Sequence, residues 1–153
     1  MIWCSIDPGM SGALIIWNGD KIISMMANLY DEDKMPSVDM IAYITGFKVK
    51  LAVIEKVGGI TGQSASGSFN FGLGTGCFHG IFRALNIPVA SLSPGYWTRI
   101  AHKGQLKSTP PKERSKAFIE QNYKWVLDMY PKADGIWDAI CIGVAALHGG
   151  LVK

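Results

Sequence analysis

The sequence predicts an α/β protein whose sheet opens with an antiparallel meander. Three observations predict it. Short apolar runs near the start alternate with turn residues, and Asn18-Gly19 between two of them is a strong two-residue hairpin signal. Leu51-Ala-Val-Ile54 is a continuous apolar run of the kind found in strands buried on both faces. Elsewhere apolar residues recur at helical spacing, as at Val38, Ile41, Ile44 and Phe47.

Taken in order, residues 1–7 form a mostly apolar strand ending at Asp7, and Pro8-Gly9 with Ser11-Gly12 make a turn into a second strand over 13–17. After Asn18-Gly19 the chain returns as a third strand over 21–27. An acidic loop leads to a helix over 38–47, then to the 51–54 strand, which ends at Glu55. The next stretch, 58–76, holds seven glycines. Its first part reads as a flexible loop. The rest shades into a helix over 68–85, closed before Ile87-Pro88 because the residue ahead of a proline is pushed out of the helical region. Gly72, Gly76 and Gly80 recur every fourth residue on one face of that helix, which permits close backbone approach. A strand over 88–92, a short helix over 94–101 and a basic, proline-containing loop over 102–111 follow. Helices over 112–123 and 136–148 finish the chain, and the second is apolar almost throughout, hence buried. No internal repeat or linker appears, so one domain is expected over 1–153.

At 48% apolar and 18% charged residues the chain can bury a core and is not a disordered tail. It has no apolar run of spanning length and no basic leader, and its three cysteines are too scattered for a disulfide framework. A cytoplasmic protein without a membrane partner is the expectation. The net charge of +3 says little, but its distribution says more. Between residues 99 and 124, Arg99, Lys103, Lys107, Lys112, Arg114, Lys116 and Lys124 face only Glu113 and Glu120, a local excess of five positive charges. Such an excess suits a surface that meets a polyanion, and equally a solvated helix face.

Two acids, Asp7 and Glu55, sit directly after hydrophobic strands. Acids are weak strand formers and costly to bury without compensation. If those strands are neighbours, both carboxylates emerge at one sheet edge, close enough to share a cation. Asp138 lies in the apolar last helix, with Asp134 four residues earlier on about the same face. Taken singly, Asp7 can initiate a turn, Glu55 can pair with Lys56 and Asp134 can cap a helix. Together they point to an acidic site for a hard divalent ion, Mg²⁺ or Mn²⁺, beside a basic segment.

Ser5-Ile-Asp7-Pro-Gly-Met-Ser-Gly-Ala-Leu14 resembles the first strand-turn-strand of RuvC-type Holliday junction resolvases, in the ribonuclease H-like superfamily. Ala52-Val-Ile-Glu55-Lys-Val is similar to that family's second acidic strand. Gly62-Gln63, Ser68-Phe-Asn-Phe-Gly72, Gly76, Gly80-Ile81, Ile87-Pro88, Ser93-Pro94 and Trp97 resemble the middle of its phage and prophage branch, and Asp134-Gly-Ile-Trp-Asp138-Ala completes the match. The resemblance runs in order along nearly the whole chain. It implies a mixed five-stranded sheet with helices on both faces, and Asp7, Glu55, Asp134 and Asp138 as catalytic ligands of two Mg²⁺ ions, with Mn²⁺ able to substitute. Lys112 resembles the family's basic residue near the scissile phosphate, with Arg99 a second candidate. The implied partner is branched DNA, above all four-way junctions, held by Arg99, Lys103, Lys107, Lys112, Arg114 and Lys116. Phage origin would place the protein in a host cytoplasm.

Two features depart from bacterial members. Asp134 and Asp138 stand further apart than the last two acids usually do, and residues 58–68 lack the aromatic that enters the junction. Phe69 and Phe71 come just after, where Phe69 either stacks on an opened base or packs in a core or dimer. The resemblance also implies a homodimer, for which the 68–85 helix, with its glycine face and Phe71, Phe78 and Phe82, is the candidate contact; packing of that helix on its own sheet is the alternative. The function expected is a metal-dependent endodeoxyribonuclease that resolves junctions by paired symmetric nicks. Alternatives are a related nuclease for flaps, forks or RNA–DNA hybrids, or a non-catalytic junction-binding protein. An actin-like ATPase is excluded because 153 residues cannot supply the two domains that enclose its nucleotide.

Overall fold

In the computed structural model, residues 1–56, 58 and 64–152 are described. β1 (Ile2–Asp7), β2 (Ala13–Asn18) and β3 (Lys21–Ala27) form the antiparallel meander, turning at Gly19, whose positive φ of 60° suits the hairpin. β4 (Ala52–Glu55) and β5 (Val89–Leu92) extend the sheet on the other side of β1, both parallel to their neighbours, giving the order β3-β2-β1-β4-β5.

Helices cover both faces, which is why β1, β2 and β4 are apolar at successive positions rather than alternate ones. On one face Cys4, Ile6, Leu14, Ile16 and Ile54 pack against α1 (Val38–Gly46) and α2 (Ala65–Ala84). On the other, Trp3, Ile15, Trp17 and Val53 pack against α3 (Pro94–Ala101), α4 (Pro111–Asn122), α5 (Lys124–Met129) and α6 (Asp134–His148). Trp3 and Trp17 stack at 5.2 Å across the β1–β2 ladder. Ser5 is the polar exception in this layer. Its hydroxyl donates to the Ala139 carbonyl of α6 at 2.6 Å and accepts from Trp17 Nε1 at 2.9 Å, so a fully buried oxygen is satisfied from both sides.

The helices differ from the sequence reading at their starts. α2 begins at Ala65 rather than 68, because Ser64 accepts from Gly67 N–H and caps it. α6 begins at Asp134 rather than 136, so both late acids lie within the helix. α5 was not expected; at six residues it is too short to show a helical repeat, and apolar residues fall both on its buried side, at Val126, and on its exposed side, at Trp125 and Met129. The glycine-rich loop expected after Glu55, including Gly62-Gln63, falls largely outside the described residues. Among the described residues, no helix is long and apolar enough to cross a membrane.

Candidate active site

Two parallel neighbours carry the first two acids. β1 and β4 align Ser5 with Val53 and Ile6 with Ile54, so Asp7 and Glu55 follow at the same end of both strands. Strand alternation turns both to the side of Ser5 and Val53, which is the face covered by α6. Asp7 Oδ1 also accepts from Gly9 N–H at 3.0 Å, so this acid shapes the turn as well as the site.

The other two acids are brought in by a contact between backbones. The β1–β2 turn meets the first turn of α6 in a parallel bridge between Gly12 and Gly135. A Cβ on Gly135 would lie 2.0 Å from the Ser11 carbonyl oxygen, and one on Gly12 would lie 2.0 Å from that of Asp7. Only glycine permits this approach. It seats Asp134 beside Asp7, with Asp138 one turn further along the same face.

The four carboxylates act on one another electrically. Burial pushes the Asp7 carboxyl up; the Gly9 N–H opposes this, the charge of Asp134 adds to it and that of Lys112 lowers it. Burial likewise raises Glu55, opposed by a hydrogen bond from Trp97 and reinforced by Asp7. Asp138 is pushed up to about 7, first by burial and then by the charges of Asp7, Glu55 and Asp134, with the Ser115 hydroxyl opposing. Lys112, on the first turn of α4 and 71% exposed, forms an ion pair with Asp134, which raises its own pKa.

The donor set is therefore four hard oxygen acids with one lysine for counter-charge, a chemistry that suits Mg²⁺ or Mn²⁺ and not a thiol- or imidazole-binding metal. Among the described residues, no three of these acids yet converge as a finished ligand cage. Lys112 pairs with Asp134 at the exposed rim of the group.

No family model and no curated protein sequence matches this chain. Solved structures do. T. thermophilus RuvC in complex with a Holliday junction substrate superposes with a TM-score of 0.70 at 12% identity, over 99% of this chain and 96% of that one. A second Thermus thermophilus RuvC structure gives 0.66 at 15% identity over the same shares. The fold is that of RuvC. The yeast mitochondrial Holliday junction resolvase Ydc2 also matches, with a TM-score of 0.61 at 15% identity over 94% of this chain and 76% of that one.

Within the RuvC fold as this chain builds it, the remaining candidates spread over α3, α4 and the connection between them. Arg99 lies on α3 and stands over the Tyr96 ring at 5.6 Å. Lys103 and Lys107 are exposed on the connection, Arg114 is half-buried on α4, and Lys116 lies 6.0 Å from the centre of the Trp137 ring. Phe69 is 67% exposed in the first turns of α2. Gly72, Gly76 and Gly80 open onto empty space, whereas Phe78 and Phe82 are buried against this chain's own sheet. The expected grouping of those two phenylalanines with the glycine face is thus corrected: helix periodicity turns them inward.

Three supporting residues were not singled out from sequence as parts of the site. Trp97 Nε1 donates to Glu55 Oε1 at 2.8 Å, fixing that carboxylate from across the sheet edge. Ser115, fully enclosed on α4, hydrogen-bonds Asp138 and also joins His102 Nε2 at 2.9 Å. Trp97 was visible only as a landmark, and a serine inside a charged helix gave no signal for Ser115.

Proposed function

We propose that this chain is a divalent-metal-dependent, structure-selective endodeoxyribonuclease that resolves Holliday junctions and other branched DNA by paired symmetric nicks. One observation carries the reading: Asp7, Glu55, Asp134 and Asp138, from three separate elements, lie near enough at one end of a RuvC fold for their charges to act on one another, beside Lys112. Asp7, Glu55, Asp134 and Asp138 would hold two Mg²⁺ ions, or Mn²⁺, which when bound supply water activation and charge neutralisation for phosphodiester hydrolysis.

The chain's own groups do the rest. Asp7 is oriented by Gly9 N–H and Glu55 by Trp97, so both present their free oxygens in fixed directions. Lys112, exposed on the rim and paired with Asp134, would hold a phosphate oxygen. Arg99, Lys103, Lys107, Arg114 and Lys116 would track the DNA backbone in a salt-dependent way. Paired nicks on opposed strands call for a two-fold dimer, and the open glycine face of α2 is the surface we assign to it.

The deciding experiment is nicking of a synthetic four-way junction in Mg²⁺. Asp7→Asn keeps the acceptor for Gly9 N–H and should lose roughly three orders of magnitude in rate, equivalent to ~4 kcal/mol of transition-state stabilisation. Undiminished cleavage by that variant would remove the proposed site.

A further inference from the structure

Behind the acids, α3, α4 and the connection between them enclose a cleft of about 340 Å³ that the cluster of carboxylates does not use. Arg99, Lys107 and Arg114 line it together with His102 and Gln105, and no carboxylate does. Among the described residues, none of those three cations forms an ion pair. Two nitrogens in this wall are also unspent. His102 is 5% exposed and gives Nε2 to Ser115, but its buried Nδ1 has no hydrogen-bond partner. Arg114 Nε is buried without one as well. Three uncompensated cations and the unpartnered Arg114 Nε–H call for an anion with several acceptor oxygens, to which Nδ1 adds a donor when it carries a proton.

We infer that this cleft is a phosphate subsite that takes one phosphodiester group of the bound DNA strand, separate from the group being cut. The inference rests on the nuclease reading and deepens it. Arg99, Lys107 and Arg114 supply the charge, and Arg114 Nε–H donates to one oxygen. The roles at the His102 Nε2–Ser115 contact depend on the tautomer, and Nδ1 donates to a bound oxygen whenever it carries the ring proton or the ring is charged.

The charged groups facing that ring are Arg114 from α4, Arg99 from α3, Lys107 from the connection and Asp138 of α6 beyond Ser115. In the free protein, burial and the Arg114 charge hold the imidazole neutral. A bound phosphate opposes both effects and favours the protonated ring. The cleft is one side-chain layer from the acids: His102 meets the Trp97 ring edge-on at 5.5 Å, and Trp97 in turn holds Glu55.

Two measurements test it. Inorganic phosphate titrated into the full chain should shift the ring resonances of His102, one of three histidines, in a saturable way, and the Arg99→Gln/Lys107→Gln variant should abolish that response. On an Asp7→Asn background, which leaves the DNA intact, the same double change should weaken junction binding about tenfold and lower the slope of log affinity against log salt by about one. Lys50→Gln, an exposed cation outside the cleft, should do neither. Indifference of His102 to phosphate means the cleft holds only water and overturns the proposal. A phosphate response with junction affinity no weaker than in Lys50→Gln assigns the cleft to free phosphate and overturns its role on DNA. Should the parent protein bind no junction at all, the nuclease reading fails, while the phosphate titration still decides the cleft.

Discussion

α6 and α2 lie on opposite faces of the same sheet and are built for opposite purposes. α6 is buried along most of its length, from Gly135 to Ala146, and its tightest contacts are backbone against backbone. α2 buries only Gly74, Thr75, Phe78 and Phe82, and three of its glycines look out on nothing. Glycine in α6 lets the helix approach its own sheet; in α2, Gly74 permits a close approach to Tyr30, while Gly72, Gly76 and Gly80 leave an outer surface flat. The same residue type thus serves an interior contact in one helix and mainly a free face in the other. Asp134 and Asp138 belong to the first kind of helix, where position is fixed.

The comparison breaks most sharply at Gly135. Gly135→Ala drives a methyl group into the Ser11 carbonyl, and unfolding measured by denaturant should show a loss of more than about 3 kcal/mol. A near-normal midpoint would mean that the α6 contact is soft.

The next largest effect is electrostatic. Asp138 has a folded pKa of about 7, above its ordinary 3.8, so its contribution to stability is full below the ordinary value and is lost as pH rises towards and through 7. Asp7 and Glu55 are raised in the same sense. Metal-free protein should therefore melt at lower temperature at pH 8 than at pH 5, and Mg²⁺ should offset the difference. Asp138→Asn should be more stable than the parent at pH 8 by on the order of 1–3 kcal/mol while losing cleavage. Identical melting profiles for the two proteins would show that the buried charge is not a liability.

Trp97→Phe is smaller again. It removes the donor to Glu55 but keeps an aromatic ring, and should lower cleavage roughly 10–100-fold and raise the Mg²⁺ concentration needed, with little change in melting. Gly76→Ala is the mild end of the series. Its methyl group meets open space, so the monomer should gain up to about 1 kcal/mol from helix propensity, and sedimentation should report weaker self-association if this face pairs two copies.

Much of the fold was legible because its signals are local. Asn18-Gly19 announces its own turn, and Asp7 and Glu55 stand out because each ends an apolar run. The sequence posed the pairing of β1 with β4 as a condition for bringing the two acids together, and the structure meets it. What was hidden is what depends on distance. Trp97 and Glu55 are 42 residues apart, and no pattern along the chain connects a helix tryptophan to a strand-end acid. Asp134 can be read as a cap ahead of a helix over 136–148, yet the helix already begins at Asp134, and Gly135 is required there by the Ser11 carbonyl rather than by its own backbone angles. The last helix therefore starts earlier than its apolar periodicity suggested. Phe78 and Phe82 were recognisable as a helical pair, but periodicity does not say which side of a helix a sheet will cover.

The buried hydroxyl of Ser5 has a mechanical consequence. It is bonded at once to the backbone of α6 and to the indole of β2, so beyond the Gly12–Gly135 bridge at the helix start it works as a dowel that keys the apolar body of the helix to the sheet. A helix packed by apolar contact alone can creep along its axis, and a shift of one turn, about 5.4 Å, would carry Asp138 away from the strand-end carboxylates. Such a slip would strand the Ala139 carbonyl and the Trp17 N–H without their partner, at a cost of ~1–3 kcal/mol for each. An uncharged atom, remote from any DNA, thereby sets the tolerance to which the acidic site is machined.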